Sequence, residues 1–308
     1  MPIQIQHILC PIDFSETSRR ALDHAVALTK WYHARLSVMY VHSTAMPVYA
    51  VSAPGMEAIQ PLMLTDAERQ QIRDRLDVEV APDRSAAHVT IDTLFDEAVR
   101  TPEAILKRAR ALPADLIVLG THGRSGVNRL MLGSVAEKVL RQAGCPVMIV
   151  PPRTPDVVPR EMGSIRRILC PVDFSSSSAR ALEYASSLAR ETHATLTVLH
   201  VLELPPDLTE LSSGLTEYRE ARFRQARSAL SQTVTSAVPP DCGSEQLILV
   251  GKGYREILSL ADDRGVDLIA MGVQGRGAVD LMFFGSTTNH VVRQARCPVL
   301  TLRGDYPR

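Results

Sequence analysis

Short apolar runs alternate with longer segments of helical period along this chain, and the whole series then occurs a second time. Ile5–Cys10 predicts a strand that stops at Pro11. Ser15 is well placed to cap a helix, because its side-chain oxygen can take a free amide of the first turn. Ala21, Leu22, Ala25, Val26 and Leu28 recur at the spacing of one helix face. Strands are then predicted over Leu36–Val41, His88–Leu94, Asp115–Gly120 and Val147–Val150. Between them lie a polar amphipathic helix over Thr65–Glu79, a helix over Pro102–Ala111, and one lined by Val135, Ala136, Val139, Leu140 and Ala143. The second half predicts strands at 166–170, 195–201, 245–250, 267–272 and 299–302, with a longer second helix over 207–236.

The repeat is written in the residues themselves. HILCPIDFSETSRRAL at 7–22 matches RILCPVDFSSSSARAL at 167–182 at 11 of 16 positions. Gln142-Ala143-Gly144-Cys145-Pro146-Val147 returns as Gln294-Ala295-Arg296-Cys297-Pro298-Val299. The offset is 160 residues at the front and 152 at the back, so the first copy carries a net eight extra residues. A tandem duplication is expected, with domains at 1–152 and 165–308 and a proline-rich linker at 153–164. Alternating strands and helices predict an α/β fold, each copy a parallel sheet with helices on both faces. Such sheets hold ligands outside the carboxyl ends of their strands, where strand order reverses.

Bulk properties narrow the function. Lys plus Arg and Asp plus Glu number 34 each, so no net field favours nucleic acid or an anionic membrane. No apolar run reaches the roughly 18 residues of a membrane span, and the N-terminus lacks a signal-peptide pattern. None of the five cysteines forms a CxxC pair, and four hold equivalent places in the repeat, as buried small hydrophobes would. A cytoplasmic location is expected.

The candidate chemistry lies in a spaced-glycine motif. Gly120-Thr121-His122-Gly123, nine residues, then Gly133-Ser134 is matched by Gly272-Val273-Gln274-Gly275, nine residues, then Gly285-Ser286. Each copy joins an apolar strand to a helix. Glycine permits close approach to the backbone, and a helix start offers free N–H groups and partial positive charge to a phosphate. The competing reading is that the glycines only serve tight turns. Asp13 and Asp173, each in a Pro-x-Asp-Phe-Ser turn, suit an adenine amino group or a ribose hydroxyl, or else the capping of the next helix. Val41 and Val201 end the second strands, where a backbone group can meet a base edge; packing in the core is the alternative. Arg124 and Arg129 lie in the first loop, and Arg276 with Asp280 in the second, so the first should hold phosphates more favourably. His122 has no visible catalytic partner. No Walker A motif, kinase signature, HExxH or GxSxG is present.

These residues resemble the universal stress protein family, in its ATP-binding branch. Cys10-Pro11-Ile12-Asp13-Phe14-Ser15 and Cys170-Pro171-Val172-Asp173-Phe174-Ser175 carry the likeness, with both glycine motifs and both Cys-Pro-Val segments. The resemblance implies two Rossmann-like sheets of five strands in order 3-2-1-4-5. It implies ATP, with Mg²⁺ beside the triphosphate. The adenine end would meet Pro11, Ile12, Asp13 and Val41, and Pro171, Val172, Asp173 and Val201. The phosphates would meet Gly120, His122, Gly123, Arg124, Gly133, Ser134 and Val135, and Gly272, Gln274, Gly275, Arg276, Gly285, Ser286 and Thr287. It also implies pairing of domains through the fifth strand, within the chain or in a homodimer. The expected function is a nucleotide-dependent sensor or regulator in stress response, acting on an unidentified regulatory partner, with no catalytic residue assigned. A slow ATPase or nucleotidyl-transferring enzyme and a nucleotide-free dimeric scaffold are the alternatives. One departure is visible: a Gly-x-Pro turn common after the third strand is Ala98-Val99-Arg100-Thr101-Pro102 in the first copy and Gly251-Lys252-Gly253 in the second.

Overall fold

The computed structural model describes residues 3–44, 64–87, 89–121, 132–152, 165–203, 213–273 and 285–304. The first repeat runs β1 (His7–Ile12), α1 (Glu16–Tyr32), β2 (Arg35–Ser43), α2 (Asp66–Ala87), β3 (Ile91–Ala98), α3 (Thr101–Ala111), β4 (Leu116–Gly120), α4 (Ser134–Gln142) and β5 (Val147–Val150). The second runs β6 (Arg167–Pro171), α5 (Ser176–Thr192), β7 (Thr195–Leu202), α6 (Ser213–Ala237), β8 (Ser244–Val250), α7 (Gly253–Asp263), β9 (Leu268–Gly272), α8 (Ser286–Gln294) and β10 (Val299–Leu302).

The ten strands among the described residues form one sheet, in order β3-β2-β1-β4-β5-β10-β9-β6-β7-β8. Each half has the order 3-2-1-4-5 in its own numbering, and pairing within each half is parallel. The halves join where β5 and β10 pair antiparallel, with Val299 opposite Ile149 and Leu300 opposite Met148. Alternate side chains of the two strands enter opposite faces of the sheet. Met148, Val150, Leu300 and Leu302 pack into a core that also holds α1, α2, α5 and α6. Val147, Ile149 and Val299 pack into the other core, under α3, α4, α7 and α8. Both cores therefore run through the seam without a break. Thr301 Oγ1 donates across it to the Val147 carbonyl at 2.9 Å, fully buried, and the Ile3 amide donates to Ser187 Oγ at 3.1 Å.

Several elements differ in extent from the periodicity. β1 continues through Pro11 to Ile12, because its pairing with β2 runs to Ile12 opposite Tyr40. β3 begins at Ile91 and reaches Ala98, held by continuous pairing with β2. α2 extends past Glu79 to Ala87, with Pro82 inside it. Leu76 and Val80 anchor the helix in the core, while Val78, whose carbonyl Pro82 cannot satisfy, is 72% exposed and lies on the solvent side. The described part of the long second-repeat helix begins at Ser213.

All five cysteines are free and buried. Burial pushes the thiols of Cys145 and Cys297 up to about 12, and raises Cys10 and Cys170 as well. They are neutral packing groups, as their place in the repeat predicts.

Candidate functional site

Each half opens a cleft by the same device. At the amino end of β1, the Asp115 carboxylate accepts from the Gln6 and His7 amides at 2.8 and 3.0 Å, tying β1 to β4. Asp267 does the same for Arg166 and Arg167 at 2.8 and 2.9 Å. At the other end the strands part. β1 and β4 pair only at Ile8–Leu116 and Leu9–Ile117, and β6 and β9 only at Ile168–Leu268 and Leu169–Ile269. Peptide groups in a parallel strand serve its two neighbours alternately. The Val172 amide donates to Leu199 on β7, so Pro171 is turned toward β9 and has no N–H to give it. Pro11 holds the equivalent place in β1. The proline thus ends the ladder where the sheet order reverses, and a crevice opens at the carboxyl ends of the strands.

The turn after β1 forms one wall. Ser15 Oγ accepts from the Ser18 amide at 3.2 Å and caps α1; Ser175 and Ser178 repeat this at 3.2 Å for α5. Asp13 Oδ1 accepts from the Ser15 amide, and Asp173 Oδ1 from the Ser175 amide, each at 3.1 Å. The serine is therefore the cap, and the aspartate orders the turn before it. Phe14 and Phe174 occupy the left-handed region, at φ 62° and 64°. That conformation is uncommon for a bulky residue, and its recurrence at both turns marks a constrained site. Phe14 packs on Tyr40 with ring centroids 5.0 Å apart, and Phe174 on His200 at 4.4 Å.

Val41 lies one residue beyond the last β1–β2 pair, and Val201 two beyond the last β6–β7 pair. The Leu202 carbonyl accepts from Gly251 on the β8 side, so alternation turns the Val201 carbonyl toward the cleft, and Val41 occupies the same register position. The side chains of both valines are half-buried against the core.

The glycines divide into two roles. A Cβ on Gly120 would meet Thr17 Cγ2 at 2.7 Å, and one on Gly272 would meet Ser177 Oγ at 2.5 Å and two backbone atoms at 2.8 Å. The first motif glycine therefore lets α1 or α5 lie close on β4 or β9, a packing demand. The last motif glycine has another task. Gly133 and Gly285 are the N-caps of α4 and α8, and neither helix has a side-chain cap bond. The Gly133 amide donates to the Thr121 carbonyl at 2.8 Å, and the Gly285 amide to Val273 at 3.0 Å, which aims each helix start at its cleft. Ser134 and Val135, and Ser286 and Thr287, stand in these uncapped first turns, where free amides suit an anion. His122, Gly123, Arg124, Arg129, Gln274, Gly275, Arg276 and Asp280 lie outside the described residues, as does most of the segment 43–62.

Sequence reasoning missed Glu203, at the rim of the second cleft. Its carboxylate accepts from the Gly253 amide at 2.8 Å, at the start of α7. No motif contains it; only the register of β7 against β8 and α7 reveals its place. Among the described residues no group of three or more His, Cys, Asp or Glu side chains is arranged to hold a metal, and no helix is long and apolar enough to cross a membrane.

Two doubly wound α/β units, each with a cleft at its switch point and an uncapped helix start facing it, define the class of protein. The chain belongs to the Universal stress protein family, whose model matches residues 4–151 and 164–303. It is 33% identical over 143 residues to universal stress protein MJ0531 of Methanocaldococcus jannaschii, covering 46% of this chain and 80% of that one. It is 24% identical to universal stress protein Mb2019 of Mycobacterium bovis, over 96% of this chain and 94% of that protein. The crystal structure of a universal stress protein from Archaeoglobus fulgidus shares the fold, with a TM-score of 0.70 at 23% identity, covering 98% of this chain and all of that one.

Proposed function

We propose that this protein binds ATP in its clefts and acts as a nucleotide-dependent regulator in stress response. The observation that carries the reading is the convergence, at each switch point, of an ordered Asp turn and an uncapped helix start. Asp13 or Asp173, with the carbonyl of Val41 or Val201, would take the adenosine end. The amides of Ser134–Val135 or Ser286–Thr287 would take phosphate, with Gly123 and Gly275 of the glycine motifs. Mg²⁺ would accompany the triphosphate, bound chiefly by its oxygens and water. The two domains, divided at the 153–164 linker, form an intrachain pseudo-dimer in this reading, and the working location is the cytoplasm.

Regulation requires that ATP favour one conformation over another. Hydrogen exchange with and without ATP tests this. Altered protection at the cleft or in the 43–62 segment, lost in Asp13→Ala together with binding, supports regulation. Saturable ATP binding with unchanged exchange throughout contradicts it. Steady ATP turnover that Asp13→Ala or His122→Ala abolishes without loss of binding would make the protein an enzyme. An empty site at millimolar ATP would leave a scaffold.

A further inference from the structure

The two clefts differ at one rim, and the difference is a carboxylate. β7 ends at Leu202, and the next residue, Glu203, turns its Oε1 to the Gly253 amide at 2.8 Å. A Cβ placed on Gly253 would lie 3.3 Å from that oxygen and 3.4 Å from Thr287 Oγ1. The two oxygens are therefore at most 6.7 Å apart, the sum of those distances. Thr287 stands in the uncapped first turn of α8, where the second cleft would receive phosphate. The backbone of α7 thus holds the Glu203 carboxylate close to the first turn of α8.

Among the described residues, the first cleft has no such group in that place. The residue at the register position of Glu203 is Ser43, two beyond Val41, and the helix equivalent to α7 begins with Thr101. The acidic groups nearest that edge of the sheet are each held by a cation. Arg69 Nε donates to Glu97 at 2.6 Å, and Arg108 pairs with Asp96. Glu203 has no ion pair among the described residues. Its bond is to the first amide of α7, a helix start that favours the carboxylate there without removing its negative charge.

We infer that Glu203 makes the second cleft disfavour phosphate-rich ligands: it accepts adenosine as readily as the first cleft does, and holds the triphosphate more weakly. The inference rests on the proposed nucleotide reading and assigns the two clefts different affinities for the triphosphate within it. Like charges a few ångströms apart repel, and because Glu203 is exposed the effect is moderate and falls with ionic strength.

Glu203→Gln is the direct test, since the amide oxygen can keep the bond to Gly253 while the charge is removed. Calorimetric titration with ATP, AMP and adenosine is compared for the native chain, Glu203→Gln and Ser43→Glu at two salt concentrations. The expected result is ATP affinity at the weaker site rising about fivefold in Glu203→Gln, less at high salt, with adenosine affinity unchanged. Ser43→Glu should weaken ATP at the stronger site by a similar factor. Equal effects on adenosine and ATP, or no effect on either, would overturn the inference. Two ATP sites of equal affinity in the native chain would overturn it too, while leaving the nucleotide reading intact. Absence of any nucleotide binding in all three proteins would defeat both.

Discussion

The two clefts are built from the same sentence of sequence and are not the same site. Both first strands carry a proline at their carboxyl end, both turns carry an aspartate before a serine-capped helix, and α4 and α8 both start uncapped. Around that shared frame the side chains have diverged. Glu203 stands where the first repeat has Ser43, and Thr288, which donates to the Gly272 carbonyl at 2.8 Å, where it has Ala136. The seam has diverged as well. Ile149 on β5 answers Thr301 on β10, and Glu137 on α4, within 3.8 Å of Arg293, answers Asn289. Backbone-level features and the Asp and Ser of the turns are thus shared by the two halves, while polar groups at the cleft rim and the seam differ. A duplicated chain can keep its scaffold twice and use its sites differently.

The largest contrast is at the first motif glycine. Alanine at Gly272 must displace backbone of Ser177 and Ser178, whereas alanine at Gly120 first meets a methyl group of Thr17, with backbone at 3.1 Å. Gly272→Ala should cost about 3 kcal/mol in urea denaturation and Gly120→Ala about half of that. Equal costs would mean that the two helices do not approach their strands differently. In the ligand comparison, Asp13→Ala should weaken ATP at the stronger site at least tenfold, about 1.4 kcal/mol. Asp173→Ala should affect the weaker site alone, as read by calorimetry. If Asp173→Ala abolishes the stronger site, the ranking of the clefts is reversed.

At the seam, Thr301→Val removes a buried bond between the halves while conserving shape. A loss of about 1 kcal/mol is expected, seen in a single transition because the cores are continuous. Two separate transitions would show halves that fold independently. The smallest effect is in pH. His24 sits where the second repeat has Tyr184, and burial lowers its affinity for a proton below the ordinary value of 6.5. The unfolded chain accepts that proton and the folded chain resists it. Stability therefore falls as pH drops through about 6.5, and levels off below the depressed folded value. Asp23, which burial raises, acts oppositely, but at the acidic end: its contribution is lost as pH rises from 3.8 through its folded value. Between about pH 7.5 and 5.5 the native chain should lose more stability than His24→Gln, as read by urea denaturation at each pH. Parallel pH profiles would show that His24 takes up its proton while folded.

The residues that made the fold legible are those whose meaning is local. Ser15 announces a helix start by side-chain chemistry alone and caps as expected, and Ser175 repeats it in the second half. The repeated strand–helix alternation led to the parallel halves. Element ends were less legible, because long-range pairing sets them: β3 keeps pairing with β2 to Ala98, and α2 passes through a proline that its exposed side tolerates. At the site, the motif showed where chemistry gathers but not how its glycines divide. Gly120 and Gly272 answer to the packing of a helix more than a hundred residues earlier or ninety-odd residues earlier in the chain, which no local reading contains. Pro11 reads locally as a strand end, and only the register shows that it stands where β1 parts from β4 beyond Leu9. Glu203 was silent for the same reason, since its partner lies fifty residues away, in Gly253.

The most direct test of unequal clefts is to purify the protein without added nucleotide, denature it, and count by mass what is released. The account predicts ATP at close to one per chain, with a second site filled only when ATP is added at high concentration. Two ATP per chain would contradict the inequality, and nothing released, with no binding on adding ATP back, would contradict the nucleotide site itself.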